Sequence, residues 1–346
     1  QGSGELILAG GAEENNSAYR FNFRQGVTRL VAGAAYTLRG DNRDVLQTTY
    51  NAVGQTSKLI IESGATLTAG GMRLMAEGSQ PGTSTVHVAG GRLDLLDAEN
   101  TIANAIGGSA DLLIDNGGSL YAAKNWFSLG VNGPGTLTVS NGTVSLSFLT
   151  MAGYGDFIGS GNRKGSAEVT VGPDGLFEVR DYFNWINDNQ NNLASLRLDG
   201  GRLVLPVTAR AAGSIGTARV ILDGGVFDCA GLPTASSVNA QTEPSLDDYL
   251  FGVDELLLGA DGVTIDTRLQ DVTFTQPLVM ESGTAAAAGF AKAGLGRLTL
   301  AGALAFDAPV TVQAGTLALT SLPNNAVTVA GGATLNPSFD SVRTDT

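Results

Sequence analysis

The sequence contains one Cys and one His among its 346 residues. A single Cys excludes a disulfide framework, and one Cys with one His is too few for a zinc site and for most nucleophilic triads. No run of 18 apolar residues occurs, so a membrane-spanning helix is not expected. Lys and Arg number 20 against 33 Asp and Glu, which gives a net charge of −13. Nucleic acid is therefore not an expected partner, because phosphate neutralisation needs clustered cations.

Glycine is as abundant as these residues are scarce, with 48 copies. Hydrophobic residues make up 43 % of the chain and charged residues 15 %, which excludes a disordered polyanion. Short segments alternate apolar residues with Thr, Ser, Arg or Glu, the pattern of strands with one buried face. Examples are Thr136–Val139, Glu168–Val171, Ser195–Leu198 and Val327–Val329. The sequence therefore predicts an all-β protein.

The predicted strands are separated by two-residue corners that contain glycine. These corners are Ser63-Gly64, Gly90-Gly91, Gly117-Gly118, Asn141-Gly142, Asp174-Gly175, Gly200-Gly201, Gly224-Gly225, Asp261-Gly262 and Gly331-Gly332. Large apolar residues follow the corners at intervals of 24 to 27 residues, apart from one interval of 33: Leu67, Leu93, Leu120, Val144, Phe177, Leu203 and Phe227. The long interval contains a predicted loop insertion at about 153–165. A fixed period of this length is typical of a solenoid.

We predict a right-handed parallel β-helix (β-solenoid) with roughly 24–27 residues per coil. About 13 coils at the parallel-strand spacing of about 4.8 Å form a rod of roughly 60 Å. The alternative is an antiparallel sandwich in which the corners are hairpin turns, as in Leu198-Asp-Gly-Gly-Arg-Leu203. A sandwich does not require the period, which favours the solenoid.

The segment 257–319 carries the most specific motif in the chain. It contains Gly262-Val-Thr-Ile-Asp-Thr267, then Lys292-Ala-Gly-Leu-Gly-Arg-Leu-Thr-Leu300, then Thr311-Val-Gln-Ala-Gly-Thr-Leu317. This arrangement resembles the autotransporter-associated β-strand repeat, with its Lys-x-Gly-x-Gly-x-Leu-x-Leu run. A degenerate second copy is predicted over 4–40. The middle of the chain, 41–256, shares only the corner pattern, and 320–346 is predicted to be the last coil and a tail of one solenoid spanning 1–346.

The resemblance implies a secreted or cell-surface β-helix of a Gram-negative-type bacterium, and it does not specify an activity. The chain begins at Gln1 without Met or a basic-then-apolar leader. That beginning is typical of a secreted protein after signal removal, or of a piece of a longer chain.

Carboxylates and aromatic residues are the candidate site residues. Asp247-Asp248 and the Asp41/Asp44 turn are interpreted as solvated loop acids rather than a glycosidase pair, and His87 is expected to point outward. The sequence therefore predicts no catalytic residue, cofactor or metal. Trp126, Tyr182 and Trp185 are candidate glycan-contacting rings, with core or corner packing as the alternative. Cys229 is predicted to be a small buried core residue.

Little sequence is left for polar caps at the ends of the predicted rod. Open coils expose unpaired strand edges, so the predicted assembly edges are Leu6, Ile7, Leu8, Val327, Val329 and Leu335. The leading hypothesis is an extracellular structural protein that stacks head to tail into filaments or matrix, with divalent cations modulating its negative charge. A surface adhesin or glycan-binding passenger segment is the second hypothesis, and a polysaccharide lyase or hydrolase is the third.

Overall fold

The computed structural model describes residues 4–10, 12–15, 21–23, 25–38, 45–48, 53–75, 80–154, 165–186, 191–233, 245–320 and 326–337. Strands dominate, and a 3-10 helix at Leu246–Asp248 is the one helix among these residues. All pairs between the strands are parallel, and most strands pair with a strand of the coil before and a strand of the coil after. The predicted parallel β-helix is confirmed.

Each coil passes through three sheet faces. Face 1 begins the coil and contains twelve strands. They are Glu5–Leu8, Gly26–Leu30, Gln55–Glu62, Gly82–Ala89, Ser109–Asp115, Gly135–Val139, Ala167–Val171, Leu193–Leu198, Thr217–Leu222, Glu255–Leu258, Leu278–Met280 and Leu304–Ala305.

Face 2 follows the glycine corner, and its strands pair in one unbroken series. They are Ala12–Asn15, Ala35–Leu38, Thr66–Ala69, Arg92–Leu95, Ser119–Leu129, Thr143–Met151, Leu176–Trp185, Arg202–Pro206, Val226–Gly231, Val263–Asp266, Phe290–Ala293, Val310–Val312 and Val327–Val329. Three of these strands are long enough to continue around the next corner into face 3: Ser119–Leu129, Thr143–Met151 and Leu176–Trp185.

Face 3 closes the coil and has an interruption. Its separate strands are Phe21–Asn22, Val45–Gln47, Gly71–Leu74, Asn100–Ile102, Thr208–Arg210, Val272–Phe274, Arg297–Leu300, Thr316–Leu319 and Thr334–Pro337. The last four form a sheet of their own. Tyr249 connects the two parts, because its carbonyl accepts from the Thr208 amide at 3.0 Å and its amide donates to Thr273 at 2.8 Å. One residue after the 3-10 helix thus stands in for a missing strand.

The glycine corners are turns between faces, and the hairpin alternative is wrong. The strand ending at Leu198 pairs with Ala167–Val171 and Thr217–Leu222, not with the strand that follows its own corner. Gly117 has φ 81°, and the corresponding corner residues of the next two coils, Asn141 and Asp174, have φ 47° and 55°. These are the residue types that tolerate the left-handed region at least cost.

The second corner glycine has a different role. A methyl group on Gly118 would lie well inside 3.0 Å from the carbonyl oxygen of Val88 in the preceding coil. This position therefore needs glycine because the coils stack too closely to admit a Cβ. The two glycines of one corner answer two separate constraints, one of conformation and one of space.

The apolar residues that follow the corners form a single interior column on face 2. Leu67, Leu93, Leu120, Val144, Phe177, Leu203 and Phe227 are in register from coil to coil, and each is 3 % exposed or less. The column continues through Ile265, Lys292 and Val312 to Val329. Columns of this kind fill the interior along the rod.

Coil length is regular where the connections are short. Hydrogen bonds between neighbouring coils join residues 26 apart at Thr83 and Ser109, and 25 apart at Asp111 and Thr136. The separation rises to 33 between Ser145 and Glu178, across the predicted insertion at 153–165, most of which lies outside the described residues. Extra residues therefore enter at a corner and leave the strand register intact.

Candidate functional site

The first described coil exposes apolar side chains that point towards the interior of the solenoid. On Glu5–Leu8, Leu6 and Leu8 are in register with the buried Thr28 and Leu30 of the next coil, so both face inward. Leu6 is nevertheless 52 % exposed, and Leu8 is half-buried. Ile7, on the outer side of the same strand, is 55 % exposed. Within the described residues this edge has no coil stacked on it.

The last described coil shows the same condition at the opposite end of the rod. Val327 and Val329 are in register with the buried Val310 and Val312, and Leu335 is in register with Leu317. All three therefore face inward, yet Val329 is 42 % exposed. Val327 and Leu335 are half-buried. The residues predicted as assembly edges thus lie at the two open faces of the described coil stack.

A cluster of rings lies on the outer surface of face 3. Trp126, Phe148 and Tyr182 are in register on three consecutive coils, and we call them the aromatic column. The Trp126 ring lies 5.2 Å from the Phe148 ring and 5.7 Å from the Tyr182 ring, centroid to centroid, the latter edge-on. Trp126 and Phe148 are partly exposed, whereas Tyr182 is fully buried. The bulge between Ala122 and Trp126 helps to place the indole on this outer side.

The structure separates Trp185 from the other two predicted glycan-contacting rings. Trp185 belongs to the interior core, where its ring packs edge-on against Phe183 with centroids 4.5 Å apart. It has no exposed surface, so its assignment as a glycan contact is wrong. Tyr182 is also fully buried and has no surface of its own to offer a ligand. Of the three predicted rings, Trp126 is the one that a ligand can touch directly.

Beside the aromatic column runs a second outward column of polar residues. Thr101, Ser128, Thr150 and Asn184 are in register, and each is 3 % exposed or less; we call them the polar column. The Thr101 hydroxyl and both amide atoms of Asn184 are buried without a hydrogen-bond partner. Buried polar groups in folded proteins are normally paired, so these three atoms need an explanation. Sequence alternation could have predicted the outward direction of Asn184, but not its burial.

Of the candidate acids, Asp247 and Asp248 lie within the described residues, and they differ in their surroundings. Asp247 and Asp248 lie in the 3-10 helix, whose N-cap Ser245 accepts from the Asp247 amide at 3.1 Å. Asp248 accepts from the Thr275 hydroxyl at 2.7 Å and from the Gln276 amide at 3.2 Å. Asp247 is exposed, as predicted for a solvated acid, whereas the carboxylate of Asp248 is engaged by two neighbouring side chains. Asp41 and Asp44 lie outside the described residues.

His87 points outward from face 1, as predicted, and its Nε2 lies 2.8 Å from Asp115 Oδ1 on the next coil. The neighbouring Val86 and Val88 face the core. The imidazole is thus one member of an inter-coil pair on the outer surface. Its partner is the carboxylate of Asp115, which also accepts a hydrogen bond from the side-chain amide of Asn116 at 3.1 Å.

Lys292, the first residue of the Lys-x-Gly-x-Gly motif, is fully buried within the interior column between Ile265 and Val312. Its ammonium donates to the backbone carbonyls of Ala293, Gly294 and Ala314 at 2.7, 2.9 and 3.2 Å. Three donors thus meet three acceptors. Desolvation lowers the pKa of Lys292 from its ordinary value. Sequence reasoning singled out the motif but missed this buried amine, because charged side chains are rarely placed inside.

Cys229 is a fully buried core residue, as predicted. Burial raises the pKa of its thiol well above the ordinary value, so the group stays protonated at neutral pH. Tyr249 is buried nearby, and its hydroxyl donates to the Leu205 carbonyl at 2.6 Å while accepting from the Gly231 amide at 3.1 Å. Burial also raises the pKa of Tyr249 well above its ordinary value. Both groups are structural and unreactive in this setting.

A shallow cavity of about 270 Å³ lies on the outer side of the last coils, between face 1 and face 2. Asp261, Thr264, Phe290 and Thr311 contribute to its wall. Its floor consists of small residues on successive face 2 strands, and no described side chain in it is an unpaired buried group. The cavity carries no specific chemistry.

Comparisons with known proteins leave the family open. No family model matches this chain, and no match was found among curated proteins or solved structures. The resemblance of 257–319 to the autotransporter-associated repeat therefore stays a prediction. Among the described residues no helix is long and apolar enough to cross a membrane, and no group of three or more His, Cys, Asp or Glu side chains is arranged to hold a metal ion.

Proposed function

We propose that this chain is an extracellular structural protein whose β-solenoid stacks head to tail into surface filaments or a matrix. The observation that carries the proposal is the exposure of inward-facing apolar residues at both open faces of the described coil stack. Leu6 is 52 % and Val329 42 % exposed, whereas Val312 in the same interior column as Val329 is fully buried. Covering this surface with another coil is favourable, because it removes apolar area from water and pairs open strand edges.

The two open faces also fit the order in which each coil passes through its three sheet faces. The first described strand, Glu5–Leu8, belongs to face 1, and the last, Thr334–Pro337, belongs to face 3. A second copy stacked on the last coil therefore begins where the chain's own next coil would begin. Such a contact is heterologous and propagates, because each copy contributes one face of each kind.

The net charge of −13 opposes side-by-side association of rods while leaving axial stacking of apolar edges possible. Divalent cations screen this repulsion and favour bundling. The extracellular, Gram-negative-type location rests on the sequence resemblance of 257–319. A glycan-binding surface is a separate candidate function, favoured by the aromatic column.

Negative-stain electron microscopy with light scattering tests the proposal, at low and high concentrations of calcium. We expect filaments with an axial repeat of roughly 60 Å, the length of about 13 coils at about 4.8 Å each. Discrete short rods at every protein concentration would refute it.

Two charge substitutions at the open faces, Leu6→Asp and Val329→Asp, are expected to abolish filaments, since each buries an unpaired carboxylate in the junction. The matched control is Leu269→Asp, because Leu269 is 76 % exposed at a corner away from both open faces. Filaments that persist in both end variants, or that disappear in the control, would contradict end-to-end stacking.

A further inference from the structure

The outer surface of face 3 combines features of a carbohydrate-binding surface. The aromatic column of Trp126, Phe148 and Tyr182 and the polar column that includes Thr150 and Asn184 run side by side along the rod, two residues apart on each strand. Rings pack against the apolar C–H faces of sugars, and amides and hydroxyls hydrogen-bond sugar hydroxyls. This pairing of chemistries is repeated on three consecutive coils, which suits a linear ligand.

Unpaired polar atoms at this surface point to a missing partner. Asn184 is fully buried, and neither its amide oxygen nor its amide nitrogen has a hydrogen bond. The Thr101 hydroxyl is in the same condition at the other end of the polar column. Leaving such groups unpaired costs about 1–3 kcal/mol each. A ligand that both donates and accepts, as a sugar hydroxyl does, satisfies them.

The surrounding charges select the ligand class. Asp97 and Lys124 form an exposed ion pair at the corner before Trp126, with Nζ and Oδ1 3.3 Å apart. Glu99, which accepts from the Tyr154 hydroxyl, and Asp181, which accepts from Ser147, add negative charge. The whole chain carries −13. Arg73, in register with Thr101, and Arg180, which donates to the Ala122 carbonyl, add positive charge beside the two columns. The negative net charge of the whole chain is therefore what disfavours acidic glycans, and it leaves neutral ones unaffected.

We infer that the aromatic and polar columns of face 3 form a binding site for a neutral polysaccharide chain lying along the rod axis. Trp126 and Phe148 make the first contacts, because they are the partly exposed members of the aromatic column. Asn184 has no exposed surface, so the ligand reaches its amide only after the side chains that cover it move aside. The inference goes beyond the proposed assembly, since the site lies on the side of the rod and not on its open faces.

The chain has two tryptophans, which makes fluorescence a site-specific test. Trp126 is partly exposed and Trp185 is buried in the core. Titration with a neutral hexasaccharide, of glucose or of N-acetylglucosamine, is expected to change the emission of the wild type saturably and to leave that of Trp126→Phe unchanged. A hexagalacturonate of equal length is expected to have no effect. A response to the acidic oligosaccharide equal to that of the neutral ones would overturn the ligand class.

Calorimetric titration of two further variants separates binding from folding. Trp126→Leu and Asn184→Leu are expected to weaken the neutral hexasaccharide at least tenfold. Asn184→Leu is expected to keep or raise the melting temperature, because it removes buried unpaired groups, a result that a purely structural asparagine would not give. Tyr121→Ala, an exposed ring on face 2 of the same coil as Trp126, is the control and should bind as the wild type does. Absence of binding to both neutral oligosaccharides would refute the site.

Discussion

The two glycines of the Gly117-Gly118 corner are expected to differ in how much stability a substitution costs. Gly117 has φ 81° and open space around its Cα, and the corresponding residue of the next coil is Asn141 with φ 47°. Gly117→Asn should therefore cost less than about 1 kcal/mol, the scale of left-handed strain for a tolerant residue. Gly118→Ala places a methyl group against the carbonyl of Val88, where relief requires that two coils separate.

The loss of stability in Gly118→Ala is expected to be large because the added methyl group meets a backbone carbonyl, which cannot rotate away as a side chain can. Overpacking against movable side chains costs about 1–3 kcal/mol, so a collision with the Val88 carbonyl should cost about 3 kcal/mol or more. With a urea dependence of about 3 kcal/mol per molar, the midpoint falls by roughly 1 M. Circular dichroism at the strand band follows unfolding.

Hydrogen exchange shows which coils are destabilised, because the coils of a solenoid can open separately and expose their own backbone amides. In Gly118→Ala, faster exchange should be concentrated in Gly82–Ala89 and Ser109–Asp115, the face 1 strands of the two coils that the added methyl group pushes apart. The reasoning fails if Gly118→Ala unfolds within about 0.5 kcal/mol of the wild type. It also fails if Gly117→Asn is as damaging, since conformation and not space would then govern the corner.

Two further predictions concern buried groups. Lys292→Met removes the donor of three backbone carbonyls and should destabilise the fold by about 2–4 kcal/mol, measured by urea unfolding; equal or greater stability would show that column packing dominates. Cys229 and Tyr249 have folded pKa values raised above their ordinary 9.0 and 10.0, so the folded state holds protons that the unfolded state loses, and stability falls as pH rises past these values. Cys229→Ala should make this fall between pH 9 and 11 shallower in melts at stepped pH, and an unchanged slope would contradict the assignment.

The repeating geometry could be predicted because it depends on short sequence patterns that recur in each coil. The corner glycines and the apolar residues after them, such as Leu93 and Leu120, mark where each coil turns and which side chains stack. The site geometry was harder to predict. Tyr182 and Trp185 are close in sequence, yet strand alternation sends one outward and the other into the core. Applied to that strand, alternation alone would have distinguished them.

Other features depend on contacts between distant residues. The outward placement of Trp126 involves a bulge that no sequence pattern announced, and its contact with Tyr182 spans two coils. The burial of Lys292 violates the usual preference for exposed charge, and it is tolerated because the corner offers three carbonyls at the right distances. The exposure of Val329 depends on what is stacked beyond it, which sequence alone cannot state.

The constant register between coils makes the rod a molecular ruler. Extra residues enter at corners without moving the strands, as between Ser145 and Glu178, so cross-section and length are set by separate parts of the sequence. Deleting one whole coil would shorten the rod by about 4.8 Å and leave both end surfaces unchanged. If copies do stack end to end, the axial repeat of the polymer counts the coils in each subunit, and natural variation in coil number would alter spacing without altering adhesion between subunits.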